Sequence, residues 1–346
     1  MTKQISSYRE AGVDIDQANL AKKKIKSLAR QTFTRGVLTE IGGFGGLFDL
    51  DRAGLKQRVL VSSVDGVGTK LKVAFATGIH DTVGRDLVAH CVNDILVQGA
   101  KPLFFMDYIA TGKLSPRIVA DIVKGITLGC KEAGCALLGG ETAEMPGFYQ
   151  DGEYDLAGFI VGAVEKRKII DGKSIRPRDL LLGLPSAGLH TNGYSLARKI
   201  LLESNGFGVN TYLPELRMTV GKALLAPHLN YLPVLESLIV RGWIKGLAHI
   251  TGGGLTENLP RTLPARCNAR IQLSSWPVPP LFQLLQRLGN IPGGEMLRTF
   301  NMGIGMVIAV SPQNLAGVER HFKRVSQVHY RLGEIVAGNN RVVYRS

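Results

Sequence analysis

Apolar residues along the 346-residue chain fall into runs of two kinds, and the runs predict its elements. Val59 to Val64, Leu103 to Ile109, Ala136 to Leu138 and Leu156 to Val164 are short and rich in apolar residues, the pattern of strands. Leu103 to Ile109 reads as a buried strand. Val83 to Gln98 places apolar residues at helical spacing and stops before Gly99 and Pro102. Ser115-Pro116 has the form of a helix start, with Ser115 as N-cap and Pro116 in the first turn of a helix running to about Glu132. Upstream, Asp16 to Arg30 reads as a basic amphipathic helix and Ile41 to Leu47 (IGGFGGL) as a flexible loop. The polar, turn-rich stretch Glu165 to Asp179 divides the chain into units 1–166 and 167–346. Beyond it the pattern predicts a buried strand at Leu180 to Leu184 and a helix from Asn192-Gly193 to Glu203. A strand before Thr251, a helix at Pro279 to Leu288, a strand at Gly303 to Val310, a helix at Pro312 to Phe322 and a strand at Arg331 to Val336 follow. Both halves mix α and β.

Composition narrows the function classes. No apolar run approaches the ~18 residues that span a bilayer, and the N-terminus MTKQISSYRE has no apolar signal region. The reading is a cytoplasmic protein with no membrane partner. Cys91, Cys130, Cys135 and Cys267 show neither zinc spacing nor a CxxC pair, which suits free thiols in a reducing compartment. The net charge of +14 attracts polyanions, either nucleic acid or a phosphorylated small molecule. The basic residues are scattered and aromatics make up only 7%, so the interleaving that stacks bases is missing and nucleic acid is not expected as a partner.

Three motifs place an acidic residue beside Gly-rich or small residues: Asp65 in SSVDGVGTK, Asp94 in VNDI and Glu141 in GGETAEMPG. Carboxylates delivered by three elements are costly to gather unless a cation neutralises them. They are expected to hold a divalent metal next to a polyphosphate. Within DGVGTK, Gly66 and Gly68 admit phosphate to the backbone, Thr69 offers a hydroxyl and Lys70 an ammonium; a tight turn after a strand explains the same residues. Glu141 is read as following a Gly-Gly turn, Gly139-Gly140, through close packing or positive φ. Asp86, His90, Asn93 and Asp94 share one side of a helix, either a solvated face or the wall of a cleft. In SAGLHTNGYS, His190, Thr191 and Asn192 precede a helix N-terminus and form an anion cradle, with the His190 side chain expected in an inter-domain cleft; a satisfied structural histidine is the alternative. Thr251 with Gly252, Gly253 and Gly254 is a second cradle of this type. Lys26 and the loop containing Gly43 and Gly45 are read as a mobile cover, and a plain surface loop is the alternative. Neither a Walker A loop nor a GxGxxG pattern occurs.

Taken together and in order, YREAGVDID, GGFGGLF, DGVGTKL, CVNDILVQGA, GGETAEMPG, HTNGYSLAR, HITGGGLTENLPR and FNMGIGM resemble the phosphoribosylformylglycinamidine cyclo-ligase (aminoimidazole ribonucleotide synthetase) family across essentially the whole chain. The resemblance implies a two-domain α/β fold and a homodimer in which N-terminal strands form a barrel at the interface, with ATP bound nearby. It implies ATP-dependent cyclisation of formylglycinamidine ribonucleotide in purine biosynthesis, with Mg²⁺. Under it, His190, Lys26 and Asp94 are the catalytic candidates. A small-molecule kinase or synthetase of the same wider ATP-binding group is the alternative.

Overall fold

The structure, a computed structural model, describes residues 38–39, 46–49, 51–52 and 58–346. Lys26, Gly43, Gly45 and the basic helix expected at Asp16 to Arg30 lie outside the described residues. The first half contains β1 (Gly46–Asp49), β2 (Arg58–Gly66), α1 (Leu71–Thr77), α2 (Asp81–Leu96), β3 (Lys101–Thr111), α3 (Pro116–Ala133), β4 (Ala136–Glu144) and β5 (Tyr154–Glu165). The second contains β6 (Leu180–Pro185), α4 (Tyr194–Arg198), β7 (Tyr212–Leu213), β8 (Met218–Thr219), α5 (Val220–Leu224), α6 (Leu232–Val240) and β9 (Ile244–His249). It ends with α7 (Gly254–Asn258), β10 (Cys267–Gln272), α8 (Pro280–Gly289), α9 (Gly293–Thr299), β11 (Ile304–Val310), α10 (Pro312–Arg324), β12 (Tyr330–Ala337) and β13 (Val342–Arg345). The expected elements are all present among the described residues, with ends moved by a few residues. Ser115 stands at the N-cap of α3 in extended conformation, but its side chain makes no capping hydrogen bond.

One sheet has the order β1-β2-β5-β3-β4 and the other β13-β10-β12-β6-β11-β9. Helices α2 and α3 pack together against the first sheet. Their contact needs glycine: a Cβ on Gly84 would lie 2.1 Å from the Ile122 carbonyl oxygen, and one on Gly125 2.0 Å from that of Asp81. In the second sheet β11 (IGMVIAV) is buried at every position, as a continuous apolar run flanked by two strands requires.

Among the described residues, nothing packs on the opposite face of the first sheet. Val64, Phe159 and Met106 are aligned across β2, β5 and β3 and are 58%, 41% and 37% exposed. Leu103 is also exposed, so β3 is buried on one face only, contrary to the buried strand expected from its sequence. Its apolar run serves two faces, and only one is covered among the described residues. Nor is Gly139-Gly140 a turn. Both residues lie inside β4 and neither has positive φ. Close packing is the reason for Gly140, because a Cβ there would meet Asp107 Oδ1 at 2.5 Å.

Candidate functional site

The seam between the two halves is lined by the polar side of α2. Asp86, His90, Asn93 and Asp94 are all buried, which excludes the solvated-face reading. Burial of so many polar groups requires partners, and the second half supplies them. The Asn93 side chain donates to the Leu229 carbonyl at 2.8 Å and accepts from the Tyr231 N–H at 3.0 Å. Asp86 accepts from the His228 N–H at 2.6 Å. Asp94 accepts from the Ser63 hydroxyl at 3.1 Å and is paired with His249 Nδ1 at 2.8 Å.

A hydrogen-bonded path runs through the seam. Asp65 Oδ2 lies 2.8 Å from His90 Nε2, and His90 Nδ1 lies 2.8 Å from the Thr191 hydroxyl. That hydroxyl is 3.3 Å from His228 Nδ1, whose Nε2 faces His249 Nε2 at 2.9 Å. His249 closes the path on Asp94. His190 stacks on His228 with ring centroids 4.1 Å apart.

Electrostatics sort these imidazoles into one cation and three neutral rings. Burial disfavours a charge on His90, but the Asp65 carboxylate overrides it and the pKa is pushed up to about 9. Burial pushes His190 and His228 well below the ordinary range, helped by the charges of Lys70 and His90. Burial also lowers His249, against the pull of Asp94. Asp65 is held low: its partial burial is outweighed by the charge and hydrogen bond of His90 and by the Gly66 N–H.

The His90 shift predicts a pH dependence. A group whose pKa rises on folding, here from 6.5 to about 9, stabilises fully below the lower value and loses that contribution as pH rises through the upper one. The span is worth about 3 kcal/mol. Urea unfolding at pH 6.5 and above pH 9 is expected to show that much extra loss in the native protein relative to His90→Gln; equal slopes would refute the pairing.

Beside the path, Asp65, Gly66, Gly68, Thr69, His90, Thr191, Asn192, Tyr194 and Ser195 line an open cavity of about 320 Å³. Here the DGVGT and HTN segments meet, and the Thr69 and Ser195 hydroxyls touch across the seam at 3.0 Å. The Thr251–Gly254 loop leans in behind Asn192: a Cβ on Gly252 would lie 3.2 Å from Asn192 Oδ1. Gly253 and Gly254 have φ of 97° and 58°, and the Asn258 amide holds the loop through the carbonyls of Thr251, Gly252 and Gly254.

Three expectations are corrected. Lys70 does not face a phosphate. It is fully buried, 2.6 Å from Asp86, and donates to the carbonyls of His190 and Ala226. His190 does not project into the cleft. It is 0% exposed with φ of 60°, and Ala187 N–H donates to its Nε2. Glu141 does not join Asp65 and Asp94. Its row runs Glu141, Tyr108, Ala157, Gly66 across four strands, which places it about 14 Å away at strand spacing.

These positions decide the fit of a magnesium ion. Mg²⁺ takes one or two carboxylates and completes its shell with phosphate and water. Asp65, with its side chain 40% exposed at the cavity, fits that demand. Asp94 is 9% exposed and its oxygens are taken by Ser63 and His249. Two further sets, His190–His228–His249 and His90–Asp94–His249, bring potential ligand atoms within 4.8 Å of one another. Their imidazoles suit softer ions than magnesium. Sequence reasoning missed His228 as part of the site; the only local hint is a histidine in an otherwise apolar stretch, LLAPHLNYL.

Comparison with known proteins gives a consistent result. Residues 50–164 match the family profile described as AIR synthase related protein, N-terminal domain, and residues 176–345 that of the C-terminal domain. A phosphoribosylformylglycinamidine cyclo-ligase of Trichlorobacter lovleyi is 55% identical over 335 residues, covering 97% of this chain and 96% of the relative. One of Geobacter sulfurreducens is 58% identical over 316 residues, covering 91% and 90%. Among solved structures, AaThiL complexed with AMPPCP and TMP matches with a TM-score of 0.63 at 14% identity, covering 96% of this chain and 93% of that one. Hydrogenase maturation protein HypE in complex with ATP matches at 0.60 and 18% identity, covering 82% and 81%. At such identities the structural likeness speaks for the fold.

Proposed function

The chain belongs to the phosphoribosylformylglycinamidine cyclo-ligase family, and from that premise we propose how its residues serve the reaction. The enzyme closes the imidazole ring of aminoimidazole ribonucleotide from formylglycinamidine ribonucleotide, using ATP and releasing ADP and phosphate. The names of the relatives do not favour the kinase alternative.

The chemistry sets the demands. A formamide carbonyl is a poor electrophile with a poor leaving group. Phosphorylation of its oxygen gives an iminophosphate; the amidine nitrogen then attacks the carbon, and the C–O bond breaks as phosphate leaves. The protein must align ATP with that oxygen and balance the charge on the moving phosphoryl group. Our reading puts these events at the cavity between the DGVGT and HTN segments. The observation that carries it is that a partly exposed carboxylate, glycine backbone, hydroxyls and an amide meet there from both halves.

Asp65 and the backbone at Gly66 and Gly68 face the nucleotide phosphates, with Thr69 at the rim. Thr191 and Asn192 meet the substrate, and the Thr251–Gly254 loop cradles a phosphate. His190 and Asp94 act as positioning residues, His190 by packing under the HTN segment and Asp94 by holding His249. Asp65 would hold magnesium, which would supply neutralisation of the phosphate charge. The family's dependence on ATP accords with fold neighbours solved with ATP or AMPPCP. Lys26 and the loop with Gly43 and Gly45 remain proposed as a cover, and residues 1–166 and 167–346 as the two domains. Incubation with formylglycinamidine ribonucleotide, ATP and Mg²⁺ should give equimolar aminoimidazole ribonucleotide and ADP; a stable phosphorylated product would favour a kinase.

The proposal includes a homodimer. Support comes from the exposed row Val64–Phe159–Met106 with Leu103 and Leu138 beside it, a patch that a second copy would cover. A partner's strands over this face would complete the barrel that the family resemblance implies. Gly139, Gly140 and Glu141, remote from Asp65 in their own chain, lie on the edge strand of this sheet and would serve the nucleotide across the interface. Light scattering should give about twice the 37.4 kDa chain mass, and Phe159→Asp should yield monomers. A fully active monomeric native protein would overturn the proposal.

A further inference from the structure

The excess of 14 positive charges does not sit at the ring-closing cavity, whose described lining holds the Asp65 carboxylate and no lysine or arginine. Part of it collects elsewhere. Arg241, Trp243, Gly317, Arg320, His321 and Arg324 line a separate cavity of about 290 Å³ between the end of α6 and the outer side of α10. None of its three arginines has a carboxylate within ion-pair distance among the described residues.

Two of these three guanidinium groups are held in place. His321 Nε2 lies 2.9 Å from the Val234 carbonyl, so this nitrogen carries the proton and Nδ1 is left as an acceptor. Arg324 Nη2 donates to that Nδ1 at 3.1 Å, with the Ser237 hydroxyl also near it at 3.4 Å. Arg241 lies over the Trp243 ring at 5.0 Å, a cation–π contact. The ring can lie against α10 because residue 317 is glycine: a Cβ there would be 2.8 Å from Cζ3 of Trp243. Converging guanidinium groups repel one another unless an anion joins them, and their planar donors suit phosphate oxygens.

We propose that this cavity binds a small phosphate-bearing anion, a diphosphate or larger, at a site distinct from the ring-closing one. The proposal does not depend on the ring-closing reading. A short open hollow of this size, lined by three arginines, suits a compact anion, whereas a nucleic-acid backbone needs a basic track with aromatic residues along it.

Trp243 is one of only two tryptophans, and the other, Trp276, is buried against the second sheet. Trp243 fluorescence therefore reports on the cavity. Inorganic pyrophosphate, titrated against sodium chloride at matched ionic strength, is expected to give a saturable change with a Kd of about 1 mM or tighter. The double substitution Arg320→Glu and Arg324→Glu, both on the exposed side of α10, is expected to weaken it by about tenfold or more. The far-ultraviolet circular dichroism of the variant should match that of the native protein. Asp65→Asn should leave the signal unchanged. A response no larger than that of chloride overturns the proposal, as does unaltered affinity in a folded double variant. Displacement of pyrophosphate by a short single-stranded oligonucleotide at lower concentration would overturn the small-anion assignment.

Discussion

Replacing Lys70 by methionine is expected to destabilise the protein by about 3–5 kcal/mol, the scale for breaking a buried ion pair on one side. The Lys70 ammonium is enclosed, with Asp86 at 2.6 Å and the carbonyls of His190 and Ala226 as its other acceptors. Burial lowers the Lys70 pKa and raises that of Asp86, and each opposes the shift of the other. Methionine retains much of the stem but leaves Asp86 without its counterion and two carbonyls without a donor. The same bonds tie the loop bearing His190 and the loop bearing His228 to α1 and α2, so the histidine path should loosen as well. Urea unfolding checks this. The double variant Lys70→Met, Asp86→Leu should recover part of the loss, because an apolar pair has no charge to desolvate. A single variant within about 1 kcal/mol of the native protein would show that the pair is not closed off as described.

The second large effect is catalytic. Asp65→Asn is expected to lower kcat/KM by about a hundredfold or more while the fold persists, the scale for losing a group that meets charge in the transition state. Asparagine keeps the shape at the cavity wall but lacks the negative charge facing the proposed nucleotide site. It also removes the charge that keeps His90 protonated. Steady-state kinetics at saturating Mg²⁺, with thermal unfolding as the control for folding, separates this from simple destabilisation. Turnover within a few-fold of the native protein would remove Asp65 from the nucleotide site.

How much of this was legible in the sequence depends on the range of the interaction involved. Helix α2 was readable because its apolar spacing is local, and Asp65, Thr191 and Asn192 stood out because Gly-rich turns flank them. Whether the polar side of α2 met water or protein was not readable, since its partners lie more than a hundred residues away: Leu229 and Tyr231 for Asn93, His249 for Asp94. Lys70 was misread for the same reason. Beside a glycine turn a lysine suggests phosphate, and only the fold brings Asp86 and two carbonyls around it. Glu141 was misplaced because the order β2-β5-β3-β4 is a property of the sheet and leaves no local mark. His228 had no turn or acidic neighbour to flag it, and its place is set by Asn93 and Asp86 gripping the backbone on either side.

The central claim, that ATP activates the formamide oxygen and the ring then closes with loss of phosphate, is tested most directly by tracing that oxygen. Formylglycinamidine ribonucleotide carrying ¹⁸O in its formyl group is incubated with ATP and the enzyme, and the released phosphate and the ribonucleotide product are weighed by mass spectrometry. The account predicts one ¹⁸O in each phosphate released, with aminoimidazole ribonucleotide and ADP formed in equal amounts. Ring closure that leaves the phosphate unlabelled, or ATP consumption without ring closure, would contradict it.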